Sequence, residues 1–332
     1  NDIQDKSVNI LLETIRENQK IFYKYFKIKA KLLKTKKLSR FDLYAPIEHK
    51  KEKITYHEAI SFILKTFKEF SPVFHDLAKR MLENKHIHSS LKMGKYTGAF
   101  CSYTDPKIDP YILINYIDNE DSMETLAHEM GHAIHFMLAA KKQSIFHVDA
   151  SLPIAETAST FCELLILNKL KQEKSHLRKS ILLKQLERAY ATVVRQSEIT
   201  IFEQRAHEMI KNGASLKELK NLKLKMLKEH FGTYVHVPEI FQQEFHYIPH
   251  IFQTPFYCYA YSFGELLALS IYKKYKENPL YSKKIINMLS CGGSKSPKEL
   301  LKELGFDINS SKFWQLGFDY ISEQIEELEK LV

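Results

Sequence analysis

The sequence predicts a mainly α-helical protein with one small β-sheet or hairpin near residues 96–116. Three observations carry this reading. Apolar residues recur at helical spacing through most of the chain. Glycine and proline are scarce, 10 of each in 332 residues, which favours long helices joined by few tight turns. Only one region concentrates β-branched and aromatic residues as strands do, most clearly Tyr111-Ile112-Leu113-Ile114-Asn115-Tyr116.

The elements follow in order. Residues 7–37 read as one long amphipathic helix, with Ile10, Leu11, Ile15, Ile21, Phe22, Tyr25, Phe26 and Leu32 on its apolar face. Helices follow near 56–70 and 72–84, the second opened by Pro72. After the hairpin, residues 118–122 offer turn and N-cap chemistry, and Glu124 suits the first turn of a helix over 122–140. Pro153 starts a helix over 153–172. A long helix over 175–211 ends at Asn212-Gly213, a good C-cap pair, and another over 215–230 stops at Gly232. Residues 233–264 are aromatic and irregular, with Pro238, Pro249 and Pro255. Helices then occupy 262–277, 280–290, 297–304 and 311–330, with Cys291-Gly292-Gly293-Ser294 a flexible turn between them. No Gly/Ser-rich or Pro-rich linker and no internal repeat divides the chain, so residues 1–332 read as a single domain.

Composition narrows the function. The net charge is +9, with lysine-rich runs at 24–37, 169–184 and 216–228. Glutamates are interspersed and no nucleic-acid module is present, so these runs read as solvated helix faces, with no nucleic-acid partner. Cys101, Cys162, Cys258 and Cys291 form no CxxC pair and no disulfide framework, which points to a reducing, cytoplasmic compartment. No uninterrupted apolar run is long enough to span a bilayer, so no membrane role is expected.

The chemistry lies in His128-Glu129-Met130-Gly131-His132, an HExxH motif within a helical run. Histidines four apart share one helix face, one turn apart, so both imidazoles can reach a single Zn²⁺. Glu129 between them is placed to take a proton from a water at the metal. Catalytic zinc usually takes three protein ligands and keeps one open position. The third is expected from Ile154-Ala155-Glu156-Thr157-Ala158-Ser159-Thr160-Phe161-Cys162-Glu163, where Glu156 sits among small residues in a first helical turn. Glu163, two turns on along the same face, is the runner-up ligand. His135 continues the histidine face, but a fourth protein ligand would close the site, so it reads as a supporting or packing residue. Gly131 costs its helix about 1 kcal/mol relative to alanine, which implies a close approach of backbone or substrate at that turn. Gly98 and Ala99 lack bulk, and an extended peptide could pair against the strand they open. A tight turn would use the same residues.

With these residues in view, the chain resembles the oligoendopeptidase F branch of the thimet oligopeptidase family, HExxH zinc peptidases of the gluzincin type. HEMGHAIH and IAETASTFCE carry the resemblance. Gly98-Ala99-Phe100-Cys101, Arg40-Phe41-Asp42-Leu43-Tyr44-Ala45-Pro46, and His250-Ile251-Phe252 with Pro255-Phe256-Tyr257-Cys258-Tyr259-Ala260-Tyr261 support it. The resemblance implies a zincin-like helical catalytic domain that cleaves internal bonds of short peptides. It implies one Zn²⁺ on His128, His132 and Glu156, with Glu129 as base. It also implies that His250 and one or more of Tyr257, Tyr259 and Tyr261 act near the scissile carbonyl. His250 with Tyr257 is the preferred oxyanion pair and Tyr261 comes next, while Tyr259 is assigned to substrate binding. Family members are longer, and this chain opens at Asn1 without methionine, so it is expected to be the C-terminal catalytic portion. HExxH alone leaves an exopeptidase, or a non-catalytic helical protein with a vestigial site, open.

Overall fold

The computed structural model describes residues 3–47 and 52–332; Asn1 lies outside them. The fold is mainly α, as expected. In chain order the elements are α1 (Asp5–Asn18), α2 (Phe22–Leu32), β1 (Leu38–Ser39), α3 (Tyr56–Phe70), α4 (Pro72–Glu83), β2 (Ile87–His88), β3 (Ala99–Ser102) and β4 (Tyr111–Ile114). Then come α5 (Glu120–Ala140), α6 (Leu152–Glu173), α7 (Arg178–Ala189), α8 (Gln196–Lys211), α9 (Leu216–Phe231), β5 (Val235–His236) and α10 (Pro249–Gln253). The remainder is α11 (Tyr259–Glu277), α12 (Ser282–Leu289), α13 (Pro297–Glu303) and α14 (Ser311–Glu329). No helix among the described residues is long and apolar enough to cross a membrane.

The backbone forms two compact units. The first comprises Asn1–Gln4, Lys50–Arg178 and Gly264–Gly317. Its three-stranded sheet has the order β2-β4-β3, with β3 antiparallel and β2 parallel to β4. The register Ala99↔Ile114 and Cys101↔Ile112 leaves β3 as an outer strand. The Thr55 hydroxyl and Glu58 carboxylate form a reciprocal capping box that starts α3. Phe70 anchors the core, packing edge-on against Phe74, Phe161 and Tyr275 at centroid distances of 4.7, 5.1 and 5.1 Å. Helix α6 is buried on nearly all faces from Ile154 to Leu170, which explains its weak amphipathic pattern.

The second unit comprises Asp5–His49, Lys179–Phe263 and Phe318–Val332. β1 and β5 form a two-stranded parallel ladder. Phe26 packs edge-on against Tyr190 at 5.2 Å and beside Phe231 at 5.7 Å. Two groups of buried charges here are paired. The Lys29 ammonium donates to the Leu43 carbonyl at 2.7 Å and pairs with Glu187. Glu244 faces Arg40 at 2.5 Å, Arg195 at 3.2 Å and Lys223 at 4.0 Å.

Most boundaries fall where the sequence puts them, and three expectations need correction. The expected helix 7–37 is interrupted by a 3-10 turn at Gln19–Ile21 and ends at Leu32. The Asn18 amide bonds the Thr14 carbonyl at 3.0 Å, a local competitor of the helix ladder. The expected helix 175–211 is a 3-10 turn, α7, a π-helical segment Tyr190–Arg195, and α8. Inserting a residue into the ladder frees carbonyls, and the Ser262 hydroxyl donates to those of Val193 (2.8 Å) and Thr192 (3.2 Å). Finally, the Gly292-Gly293 turn is packed, not flexible. A Cβ on Gly292 would lie 2.4 Å from the His147 carbonyl oxygen, and the Gly293 N–H donates to that oxygen at 2.9 Å.

His230 is buried between the Tyr190 hydroxyl (3.1 Å) and the Gln19 carboxamide oxygen (2.8 Å). Burial first, then the nearby Lys223 and Arg40 charges, push its pKa down to about 3. A lowered folded-state pKa means that the neutral ring stabilises the fold. That contribution is complete above the unfolded value near 6.5 and is lost as pH falls from there towards 3. At pH 4.5, two units below 6.5, the loss should be about 2–3 kcal/mol. Urea midpoints at pH 7.5 and 4.5 should therefore separate by more in the parent protein than in His230→Gln. Equal separations would contradict the assignment.

Candidate metal centre and aromatic block

The candidate metal centre is built by two helices of the first unit. The Asn119 carboxamide caps α5 by accepting the Ser122 N–H at 2.9 Å, and Glu120 and Asp121 complement the dipole of its first turn. Two turns later α5 presents His128, Glu129 and His132. α6 crosses it with almost no separation at Gly131, where a Cβ would lie 2.5 Å from Ser159 Cα and 2.7 Å from the Ala158 carbonyl oxygen. The close approach expected at Gly131 is thus to the α6 backbone.

This contact brings Glu156 over both histidines. Nε2 of His128 and Nε2 of His132 are 3.1 Å apart, and Glu156 Oε2 is 3.4 Å from each. Ligands on a tetrahedral ion with bonds of about 2.0–2.1 Å are separated by about 3.3 Å, so the three donors fit a zinc-sized ion. Two imidazole nitrogens at 3.1 Å need a shared proton or a cation between them. Among the described residues, His128, His132 and Glu156 form a group of potential metal ligands.

The surroundings orient this triad. Glu163 is not in the triad; its Oε1 accepts from His128 Nδ1 at 2.7 Å, which leaves Nε2 to point at His132 and Glu156. The Ser159 hydroxyl lies 2.9 Å from both the Glu156 backbone carbonyl and Oε2. His135 is buried and hydrogen-bonded to the Ala155 backbone, and burial above all lowers its pKa to about 4. It therefore supports the start of α6 as a neutral ring.

The charges are unequal by design of the surroundings. Burial opposes ionisation of Glu156, but the hydrogen bond and charge of His132, with His128 and Ser159, outweigh it and pull its pKa to about 2. Burial raises Glu129 above the usual carboxylate range, despite the two histidines and the Cys101 backbone N–H that it accepts. The same surroundings thus move the two carboxylates in opposite directions. Burial likewise opposes charge on His128, while Glu163, Glu156 and Glu129 together raise its pKa. The Cys101 thiol is pushed up to about 12, chiefly by burial, so it stays protonated. Gly98 adopts φ +82° with nothing within 4 Å of a Cβ, so turn conformation, not crowding, accounts for the glycine.

The aromatic block belongs to the second unit. His250 Nε2 is 3.2 Å from the Tyr261 hydroxyl. The His250 and Tyr257 rings lie nearly parallel at 5.8 Å, and Tyr261 meets Tyr257 edge-on at 5.1 Å. Three of the residues named from sequence are therefore assembled here, whereas Tyr259 is buried. Sequence reasoning missed Glu203 of α8, fully buried, whose Oε1 accepts the Phe256 N–H at 2.9 Å. A glutamate on the apolar face of a helix, one residue after Phe202, was the available signal.

The profile of Peptidase family M3 matches residues 1–320. Oligopeptidase PepF of Bacillus subtilis is 29% identical over 340 residues, covering 100% of this chain and 50% of the relative. An oligoendopeptidase F homolog of Borreliella burgdorferi is 32% identical over 341 residues, covering 100% and 57%. The chain thus spans about half the length of these relatives. A solved chain from Chlamydophila abortus superposes with a TM-score of 0.92 at 27% identity, over 99% of this chain and 56% of that one.

The helix contact at Gly131 carries a stability prediction. Gly131→Ala gains about 1 kcal/mol of helix propensity. It must also push apart two backbones, an overpacking cost of about 1–3 kcal/mol, larger still where backbone cannot yield. Net destabilisation is expected in denaturant unfolding. A Gly131→Ala protein more stable than the parent would show that α5 and α6 are not pressed together there.

Proposed function

The chain belongs to Peptidase family M3, and from that premise we propose that it is the catalytic portion of a zinc endopeptidase acting on short peptides. The observation that carries the reading is the even spacing of His128, His132 and Glu156, at 3.1, 3.4 and 3.4 Å, where α5 and α6 meet, beside an HExxH glutamate whose pKa is raised. A zinc ion held by these residues would supply Lewis acidity that lowers the pKa of water towards neutrality.

The chain's own residues do the rest. Glu129 takes a proton from the attacking water and returns it to the leaving amine. A carboxylate with a pKa above its usual range suits a group that must both accept and release. Glu163 holds His128 in one tautomer. Glu156 stays ionised and compensates the charge of the cation. Gly98 and Ala99 open an outer strand against which an extended peptide backbone can pair, giving affinity without side-chain selectivity. By family resemblance, His250 with Tyr257, and Tyr261 next, donates to the oxyanion; one such donor is worth about 2.7–4 kcal/mol. No nucleic acid or membrane is invoked.

Two outcomes test this reading. Glu129→Gln should keep one equivalent of zinc while cleavage of a quenched peptide falls by about 10²–10⁴-fold. Turnover near the parent rate would exclude Glu129 as the base. Glu163→Ala should weaken zinc affinity by about 10–100-fold, with Glu163→Gln in between, because the amide can still accept from His128. Chelator titration reads both, and unchanged affinity in Glu163→Ala would remove its orienting role.

A further inference from the structure

One face of α8 packs against the residues that neighbour His250 and Tyr257 in the chain. Ile199, Glu203 and His207 lie four residues apart on that helix, one above the other. Ile199 packs with Ile248 and Cys258, and Ile251 lies against them. Glu203 accepts the Phe256 N–H, and the His207 ring meets the Phe256 ring at 4.8 Å. In the chain, Ile248 and Ile251 bracket His250, and Phe256 and Cys258 bracket Tyr257. The backbone at Phe256 needs such a hold. Its φ is +59°, a conformation that bulky residues rarely adopt.

Glu203 is an unusual anchor for a purely structural purpose. It is 1% exposed, and its Oε2 has no hydrogen-bond partner. Cys258 beside it is also buried. A buried carboxyl with one oxygen unpartnered is costly unless the contact it does make is needed. Burial raises its pKa, against the Phe256 N–H and the nearby His207. The contact it makes is to the residue immediately before Tyr257.

We propose that Glu203 is a positioning residue: by holding Phe256 in its left-handed conformation it sets the plane of Tyr257 against His250. This rests on the reading above, in which that block donates to the oxyanion. It adds a residue outside the block whose removal should act through geometry.

The test uses two substitutions in the whole chain. Glu203→Met keeps the volume and cannot accept a hydrogen bond; Glu203→Gln can. The expected result is that Glu203→Met lowers kcat by about 10–100-fold, the scale of a small misplacement, with KM changed far less. It should also speed hydrogen exchange of the Phe256 amide, with zinc content unchanged. Glu203→Gln should restore both towards the parent values. Parent-like kcat in Glu203→Met overturns the proposal, as does failure of Glu203→Gln to restore activity. A Glu203→Met protein that does not fold also overturns it, since the residue would then be a determinant of the fold. A parent protein that binds zinc but cleaves no peptide would sink the functional reading instead. In that case the Phe256 amide exchange still decides whether Glu203 anchors the segment.

Discussion

The centre depends on a contact without side chains, the meeting of α5 and α6 where Gly131 faces Ser159. Any Cβ at residue 131 would collide with backbone at 2.5 Å. Because it is absent, the Glu156 carboxylate reaches both imidazoles of α5 with separations near those of a tetrahedral ion. A displacement of one ångström would break the even spacing of the three donors. The second tier then follows from the same proximity. Glu163, two turns along α6, falls opposite His128, and Ser159 falls beside Glu156.

The two carboxylates nearest the histidines illustrate how environment separates roles. Glu129 and Glu156 both face His128 and His132, and both are partly desolvated. Glu156 also receives Ser159 and a hydrogen bond from His132, and drops to about 2. Glu129 has only a backbone N–H from Cys101 beyond the histidines, and burial wins. The same pair of histidines thus leaves one carboxylate lowered and the other raised.

Much of this was legible in the sequence because the site uses regular elements. HExxH on a helix puts two candidate ligands on one face by periodicity alone, and Pro153 places Glu156 near the start of the next helix. What periodicity could not supply was contact between elements. Gly131 signals a close approach, but nothing in the sequence identifies Ser159 as the partner. The π-helical segment Tyr190–Arg195 escapes because one inserted residue barely changes the apolar pattern on either side, while it rotates all that follows. Strands of two residues, such as Ile87–His88 and Val235–His236, are too short for any period to register. Glu203 was hidden by the habit of reading helix glutamates as solvated, although its neighbour Phe202 and its i−4 residue Ile199 are both core.

The most direct test of the central claim is the zinc K-edge X-ray absorption spectrum of the protein loaded with one equivalent of metal. The account predicts two imidazole nitrogens and carboxylate oxygen at about 2.0–2.1 Å, with the imidazole scattering halved in His132→Ala. A first shell containing sulfur at about 2.3 Å, or imidazole scattering untouched by His132→Ala, would contradict it.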